Sequence, residues 1–363
     1  MLTTAIFPSR YVQGRDALDQ LGAELARLGE RALILLDPFA DDHLAEQLAA
    51  ACAGHIDYRK IRFAGECSDE EIVRLAALAR QDSPQVIAGL GGGKALDTAK
   101  ALAHELGLPV AVIPTLASSD APCSALSVIY SAEGAFKRYL VLPRNPDLVL
   151  VDSQIIARAP ARFLVAGMGD ALATWFEAED CRRSGNANMT GRPGPRTAHA
   201  LARFCYDTLL EYGPLALQAC RSQVVTPALE RVIEANTLLS GLGFESGGLA
   251  AAHAIHNGFT ALPATHDYWH GEKVAFGVLS MLMLRDSEPA LIAEVYAFCE
   301  AIGLPITLAQ IGLTDVTDEA LLKVAELACA EGESMHNEPF PVDARSVLAA
   351  LRAADAEGRR RQR

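Results

Sequence analysis

Apolar positions in the first 150 residues fall into two alternating patterns. The stretches 31–36, 85–90 and 109–115 are short runs, apolar at nearly every position. Such runs mark strands buried on both faces of a parallel sheet. Between them apolar residues recur at helical spacing. Leu18, Leu21, Leu25 and Leu28 form one stripe within 16–28, and 41–53 and 94–106 repeat the pattern. Ser68 opens a further helix whose first turn holds Asp69, Glu70 and Glu71, where the helix dipole favours acids. Residues 55–63 alternate like a strand. Strand–helix–strand order of this kind predicts a parallel sheet with right-handed crossovers. Residues 126–131 and 139–142 then read as a hairpin around Glu133-Gly134, and 148–151 as a last strand.

After Pro160 the strand patterns stop. Residues 163–180, 197–211, 223–242, 290–302 and 318–331 all carry helical spacing. The Gly-, Asn- and Pro-rich stretch 184–196 reads as a surface loop. The expected organisation is an α/β N-terminal nucleotide-binding domain with a parallel sheet over 1–160. An all-α C-terminal domain over 161–363 follows, joined near Ala159-Pro160-Ala161.

Composition narrows the function. With 363 residues, two domains are the natural expectation. A formal net charge of −13 argues against nucleic acid as a partner, because phosphate backbones need a basic surface. The one basic run, 359–363, is expected to be a frayed, solvated tail. None of the eight cysteines forms a Cys-x-x-Cys pair, so they read as reduced core residues. Residues 1–14 lack a basic head followed by an apolar stretch, and the longest apolar run, 274–284, is too short to span a bilayer. A cytoplasmic protein without membrane partners is the expectation.

Two features suggest a nucleotide. Gly89-Leu90-Gly91-Gly92-Gly93-Lys94 joins a buried strand to a helix. Consecutive glycines let a backbone approach a ligand closely, and the following helix aims free N–H groups at the same place. The spacing is neither the dinucleotide fingerprint nor the Walker A motif, and a tight turn without a ligand would also use glycines. Asp37 follows the apolar run 31–36. An acid at the end of an early strand can hold ribose hydroxyls, although an Asp before Pro38 also starts turns.

A third feature suggests a metal. Four of the nine histidines, His253, His256, His266 and His270, lie within eighteen residues. Spacings of three and four put each pair on one helix face. Imidazole is a common metal ligand, while hydrogen-bonded core or capping histidines would need none. The best candidate carboxylate is Asp170, in Gly167-Met168-Gly169-Asp170, where it reads as opening an apolar helix and could equally be its cap.

These residues resemble a known family. The stretch 89–100 resembles the cofactor loop of the iron-containing alcohol dehydrogenase superfamily. The stretches 241–258 and 270–277, supported by 120–130, resemble its glycerol dehydrogenase branch, and the likeness runs from about Phe7 to about Ala354. The family implies a dehydroquinate synthase-like architecture with the active site in the cleft between two domains. It implies zinc on Asp170, His253 and His270. It implies NAD contacts on Asp37, Gly92, Gly93, Lys94, Thr115, Ser118, Ser124, Leu126 and Tyr130. Asp120 is the implied catalytic and substrate contact, with His253 also near the substrate, and a homo-octamer is implied. The iron enzymes carry a further histidine four residues after the aspartate, where this chain has Thr174. Three ligands and an open position suit a catalytic zinc. The loop 184–196 also departs from the family's usual sequence.

The implied reaction is the NAD-dependent oxidation of glycerol to dihydroxyacetone, or its reverse, with zinc stabilising the alkoxide and NAD taking the hydride. A related diol dehydrogenase is the alternative. A dehydroquinate synthase-like lyase or a glycerol 1-phosphate dehydrogenase would need several basic residues for an acidic or phosphorylated substrate, and the metal motifs offer chiefly Lys273. An NAD-binding regulator that has lost its chemistry fits poorly with three ligands in place.

Overall fold

A computed structural model describes residues 2–363. The chain divides into two compact units. One comprises residues 6–160 and 219–241, the other residues 2–5, 161–218 and 242–363. The chain passes from the first unit to the second at 160/161. Residues 219–241, expected in the helical domain, instead pack with the sheet unit.

The first unit is built on a six-stranded sheet. Its strands are β1 (Tyr11–Gly14), β2 (Arg31–Leu36), β3 (Asp57–Arg62), β4 (Val86–Gly91), β5 (Val110–Pro114) and β8 (Leu148–Asp152). Their order is β1-β8-β5-β4-β2-β3, and every pairing is parallel. The antiparallel hairpin β6 (Leu126–Tyr130) and β7 (Phe136–Val141) stands apart from that sheet. β4, β5 and β8 are buried at every position, which explains why their sequences are apolar nearly throughout. Ile34, Leu36, Ala88, Leu90, Ile113 and Leu150 pack one face of the sheet against Leu18, Leu21, Leu25 and Leu48.

Several element boundaries differ from expectation. Residues 16–28 form a 3-10 turn, Ala17–Gln20, and a short helix, Leu21–Leu25. The helix expected over 41–53 is two helices, Pro38–His43 and Ala45–Cys52, because Asp37 and Pro38 start the first one early. Within 223–242 a helix, Pro227–Glu234, passes into a π-helical segment, Ala235–Leu239. β1 escapes a sequence reading because its four residues are only half-buried.

The second unit contains the long helices Ala161–Ser184, Ala251–Phe259 and His270–Leu284, among others. The first and last of these approach unusually closely. A Cβ at Gly169 would stand 2.4 Å from the Gly271 carbonyl oxygen, and one at Gly271 would stand 1.8 Å from the Ala166 oxygen. No larger residue fits at either crossing position. The C-terminal arginines, expected to fray, end the helix Ala344–Arg361, where Arg360 and Arg361 both pair with Glu357 one turn back. All eight cysteines are free thiols, and Cys329 alone is not buried. No described helix is long and apolar enough to cross a membrane.

Candidate metal centre and cofactor loop

The close helix crossing explains where Asp170 sits. It lies in the middle of the helix Ala161–Ser184, not at its start. Gly169, one of the two glycines that suggested a helix opening, serves the contact with Gly271 instead. That contact brings the fully buried Asp170 to His270, the first residue of its own helix. The helix Ala251–Phe259 adds His253. Asp170 Oδ1 lies 3.1 Å from His270 Nε2 and 3.3 Å from His253 Nε2. One ligand atom from each of the three falls within 4.8 Å of the others.

The spacing suits a cation. Ligand atoms at the usual zinc distances stand about 3.3 Å from one another at tetrahedral angles. The charge balance agrees. Burial opposes a positive His253, yet Glu177 and Asp170 outweigh it and hold its pKa well above the imidazole range. Burial likewise opposes the Asp170 charge, and His270 and His253 reverse that, lowering its pKa far below the carboxylate range. The pocket therefore favours positive charge, whether a proton or a metal occupies it.

The other histidines separate. His266 caps a 3-10 turn and meets the Thr260 carbonyl through Nε2, so the expected face shared with His270 does not exist. His256 touches the cluster from behind. Its Nε2 is 3.0 Å from His270 Nδ1, its Nδ1 is 3.1 Å from Asn257 Oδ1, and Asn257 Nδ2 donates to Glu333 at 2.9 Å. The Glu333 contact orients the amide, so Asn257 presents its oxygen and His256 carries hydrogen on Nδ1. His256 Nε2 then accepts from His270 Nδ1, which leaves the His270 Nε2 lone pair facing Asp170. Burial first, then His270 and Lys273, push His256 well below the usual imidazole range, so it stays neutral. Thr174, one turn past Asp170, is buried with its methyl group toward Gly243.

In the sheet unit Asp37, Gly92 and Thr115 directly follow β2, β4 and β5. Asp37 caps the helix Pro38–His43 by accepting from Ala40 N at 2.8 Å, and its other oxygen accepts from Gly92 N at 2.9 Å. The chain's own packing does not demand glycine at 92 or 93. A Cβ at Gly93 would meet nothing within 4 Å, and one at Gly92 nothing closer than 3.9 Å. Small residues there make sense if a ligand comes close. Lys94 opens outward, paired with Glu66 at 2.6 Å and lying 5.0 Å from the Tyr130 ring centroid. Burial, followed by the Asp97 carboxylate, pushes the Tyr130 phenol up to about 12, so it is neutral.

Thr115, Ser118, Asp120 and Ser124 lie on the connection between β5 and β6, which is clamped from several sides, and Leu126 opens β6. The buried Lys100 Nζ donates to the Ala121 and Leu126 carbonyls and pairs with Asp97 at 2.9 Å. Asn145 donates to the Cys123 oxygen at 2.9 Å, and Asn236, from the π-helical segment, to the Ala117 oxygen at 3.0 Å. Ser240 donates to Asp120 Oδ2. Sequence reading missed Glu66, Lys100, Ser240 and Glu177. Only Glu177 left a signal, seven residues and two helical turns after Asp170.

Comparison with known proteins agrees with the architecture. A family model described as iron-containing alcohol dehydrogenase matches residues 8–153. A glycerol dehydrogenase of Thermotoga maritima is 60% identical over 362 residues, covering 100% of this chain and 99% of its own. The crystal structure of a probable glycerol dehydrogenase from Sinorhizobium meliloti aligns with a TM-score of 0.93 at 44% identity, covering 99% of this chain and 100% of that one. Glycerol dehydrogenase from Schizosaccharomyces pombe gives 0.95 at 39% identity, covering 99% and 92%. With such identity sustained over its whole length, the chain belongs to the iron-containing alcohol dehydrogenase family, among the glycerol dehydrogenases.

Proposed function

We propose that this oxidoreductase converts glycerol and NAD to dihydroxyacetone, NADH and a proton, and runs the reverse reaction. The observation that carries the reading is the convergence of Asp170 Oδ1 on His253 Nε2 and His270 Nε2, at 3.3 and 3.1 Å. Those three side chains would hold a divalent cation, zinc by preference for this donor set. When bound, the cation supplies the charge that makes the substrate hydroxyl acidic. NAD supplies the hydride acceptor.

The protein's own residues bind and orient. Asp37 would take the ribose hydroxyls, as acids at this position do in nucleotide folds. Gly92, Gly93 and Lys94 would meet the phosphates at a helix N-terminus. Thr115, Ser118, Ser124, Leu126 and Tyr130 would line the rest of the nucleotide. Asp120, held by Ser240, would accept hydrogen bonds from the glycerol hydroxyls, with His253 nearby. Lys273 does not offer a free cation for a phosphorylated substrate, because it is buried and donates to the Thr265 carbonyl at 3.3 Å. The same reading places the chain in the cytoplasm as a homo-oligomer, which light scattering tests.

The functional test is NADH formation by the metal-loaded protein with glycerol, lost on chelation and restored by Zn2+. Failure to turn over glycerol, propane-1,2-diol or dihydroxyacetone would overturn the proposal. A lyase of the same fold would show no net NADH.

A further inference from the structure

We propose that Glu177 is a positioning residue that locks the His253 ring with hydrogen on Nδ1, so that Nε2, which faces Asp170, is the nitrogen left for a metal. The inference rests on reading Asp170, His253 and His270 as the metal ligands. It adds a fourth residue that would never touch the metal.

The geometry is specific. Glu177 lies two turns beyond Asp170 on the same helix and is completely buried. Its Oε2 is 2.6 Å from His253 Nδ1. Its Oε1 accepts from the backbone N–H of Ala250 and of His253, both at 2.9 Å. His253 Nε2 in turn is 3.3 Å from Asp170 Oδ1. One imidazole is thus gripped at both nitrogens by carboxylates of a single helix.

A buried carboxylate is costly unless its oxygens are satisfied. Two of its three contacts are explained by capping, since the first amides of the helix Ala251–Phe259 have no intrahelical partner. A Ser or Asp at the N-cap position itself, where this chain has Ala250, would serve that purpose locally. The third contact, to Nδ1, is what a cap does not need. An acceptor on Nδ1 fixes the tautomer and rotation of a ligand histidine and raises the basicity of Nε2. For His270 the acceptor on Nδ1 is the neutral His256 ring, backed by Asn257, whereas His253 Nδ1 meets a carboxylate directly.

Glu177→Gln separates the two roles. The amide keeps an oxygen for the Ala250 and His253 N–H groups but turns an NH2 donor toward Nδ1. That favours the opposite tautomer, with hydrogen on Nε2 where the lone pair is needed. Zn2+ affinity, measured by competition with a chromophoric chelator, should fall about 10–100-fold. The visible spectrum of the Co2+-substituted protein should change, while the melting temperature of the metal-free protein stays close to that of the parent. Unchanged affinity and an unchanged cobalt spectrum overturn the proposal and leave Glu177 as a helix cap. Asp170→Asn serves as the control. If that variant retains tight metal, the ligand reading itself fails, whatever Glu177→Gln shows. Should Glu177→Gln not fold, 15N NMR of the histidine-labelled parent holoprotein decides. His253 should show a protonated Nδ1, and a bare Nδ1 overturns the proposal.

Discussion

Ser240 donates a 2.7 Å hydrogen bond to Oδ2 of Asp120, a residue 120 positions earlier in the chain. Both groups are buried, and Ser240 follows directly on the π-helical segment whose Asn236 holds the Ala117 carbonyl. π-segments often mark functional sites. Here the segment carries two side chains onto one loop.

If Asp120 binds the substrate hydroxyls, Ser240 sets its rotamer. Ser240→Ala should lower kcat/KM for glycerol about tenfold, equal to about 1.4 kcal/mol and within the range for one hydrogen bond to a charged group. Affinity for NAD, measured by calorimetry, should hold. Parallel loss of NAD affinity would mean that Ser240 supports the whole loop and not Asp120 in particular.

The relation of Asp120 to Ser240 was not legible in the sequence, and the reason is general. Apolar runs such as 31–36 and 85–90 announce buried strands because burial on both faces leaves no room for polar residues. Local chemistry is also visible: Ser68 caps its helix as its acidic first turn implies. Long-range pairing leaves no such trace. Residues 219–241 have ordinary helical spacing, and nothing in it says that they fold onto the sheet unit. Gly169 helps to misplace Asp170 at a helix start, because a glycine for close helix packing looks the same in sequence as one for a turn. His266 and His270 match a helix face by number alone, while the chain between them turns through Tyr268 and Trp269. Four histidines within eighteen residues signal a metal, but it is the family resemblance that selects Asp170, His253 and His270 among the candidates. Glu177 and Ser240 are common types, and only their contacts give them meaning.

Asp37 is tied into the fold more firmly than a ribose contact requires. It caps a helix at Ala40 and accepts from Gly92 N. Removing the side chain would therefore confuse cofactor choice with stability. Asp37→Ser keeps a capping oxygen while removing the charge that would repel a 2′-phosphate. The ratio of kcat/KM for NADP to that for NAD should rise at least tenfold, with little change in melting temperature. An unchanged ratio would show that Asp37 is structural only.

A second buried acid pair lies under the histidine helix. Glu338 accepts from Ala251 N at 3.1 Å, and its neighbour Asp180 pairs with Arg285 at 3.1 Å and Arg183 at 3.3 Å. Burial, then the Asp180 charge, pushes the Glu338 carboxyl from 4.5 up to about 9. The folded protein thus keeps a proton that the unfolded chain releases near 4.5. The stability this contributes is full below that pH and is lost as pH rises through about 9. Glu338→Gln mimics the protonated acid, with a carbonyl for Ala251 N and an NH2 for Asp180, and carries no such dependence. Its melting temperature should exceed the parent's by a margin that widens from pH 5 to pH 9. A constant margin would mean that Glu338 is ionised throughout.

The histidines allow the sharpest prediction, because the structure sets His256 apart from His253 and His270 in its relation to Asp170. His253 and His270 both direct Nε2 at Asp170 Oδ1. His256 directs Nε2 at His270 Nδ1, so it cannot reach the same point without displacing His270. Removing a ligand leaves two donors for a cation that needs at least three from the protein. His253→Ala and His270→Ala should therefore purify nearly free of metal and lack activity. His256→Phe keeps an aromatic ring in place and removes the acceptor on His270 Nδ1, together with the contact to Asn257 Oδ1. Losing such a support typically weakens metal affinity or activity about 10–100-fold without removing the ligand. His256→Phe should then hold close to one metal per chain when Zn2+ is supplied in excess and release it to a chelator faster than the parent. Elemental analysis of the three variants, each before and after dialysis against the same chelator, decides the ranking. A metal-free His256→Phe beside a metal-replete His253→Ala would reverse the assignment and make His256 a ligand.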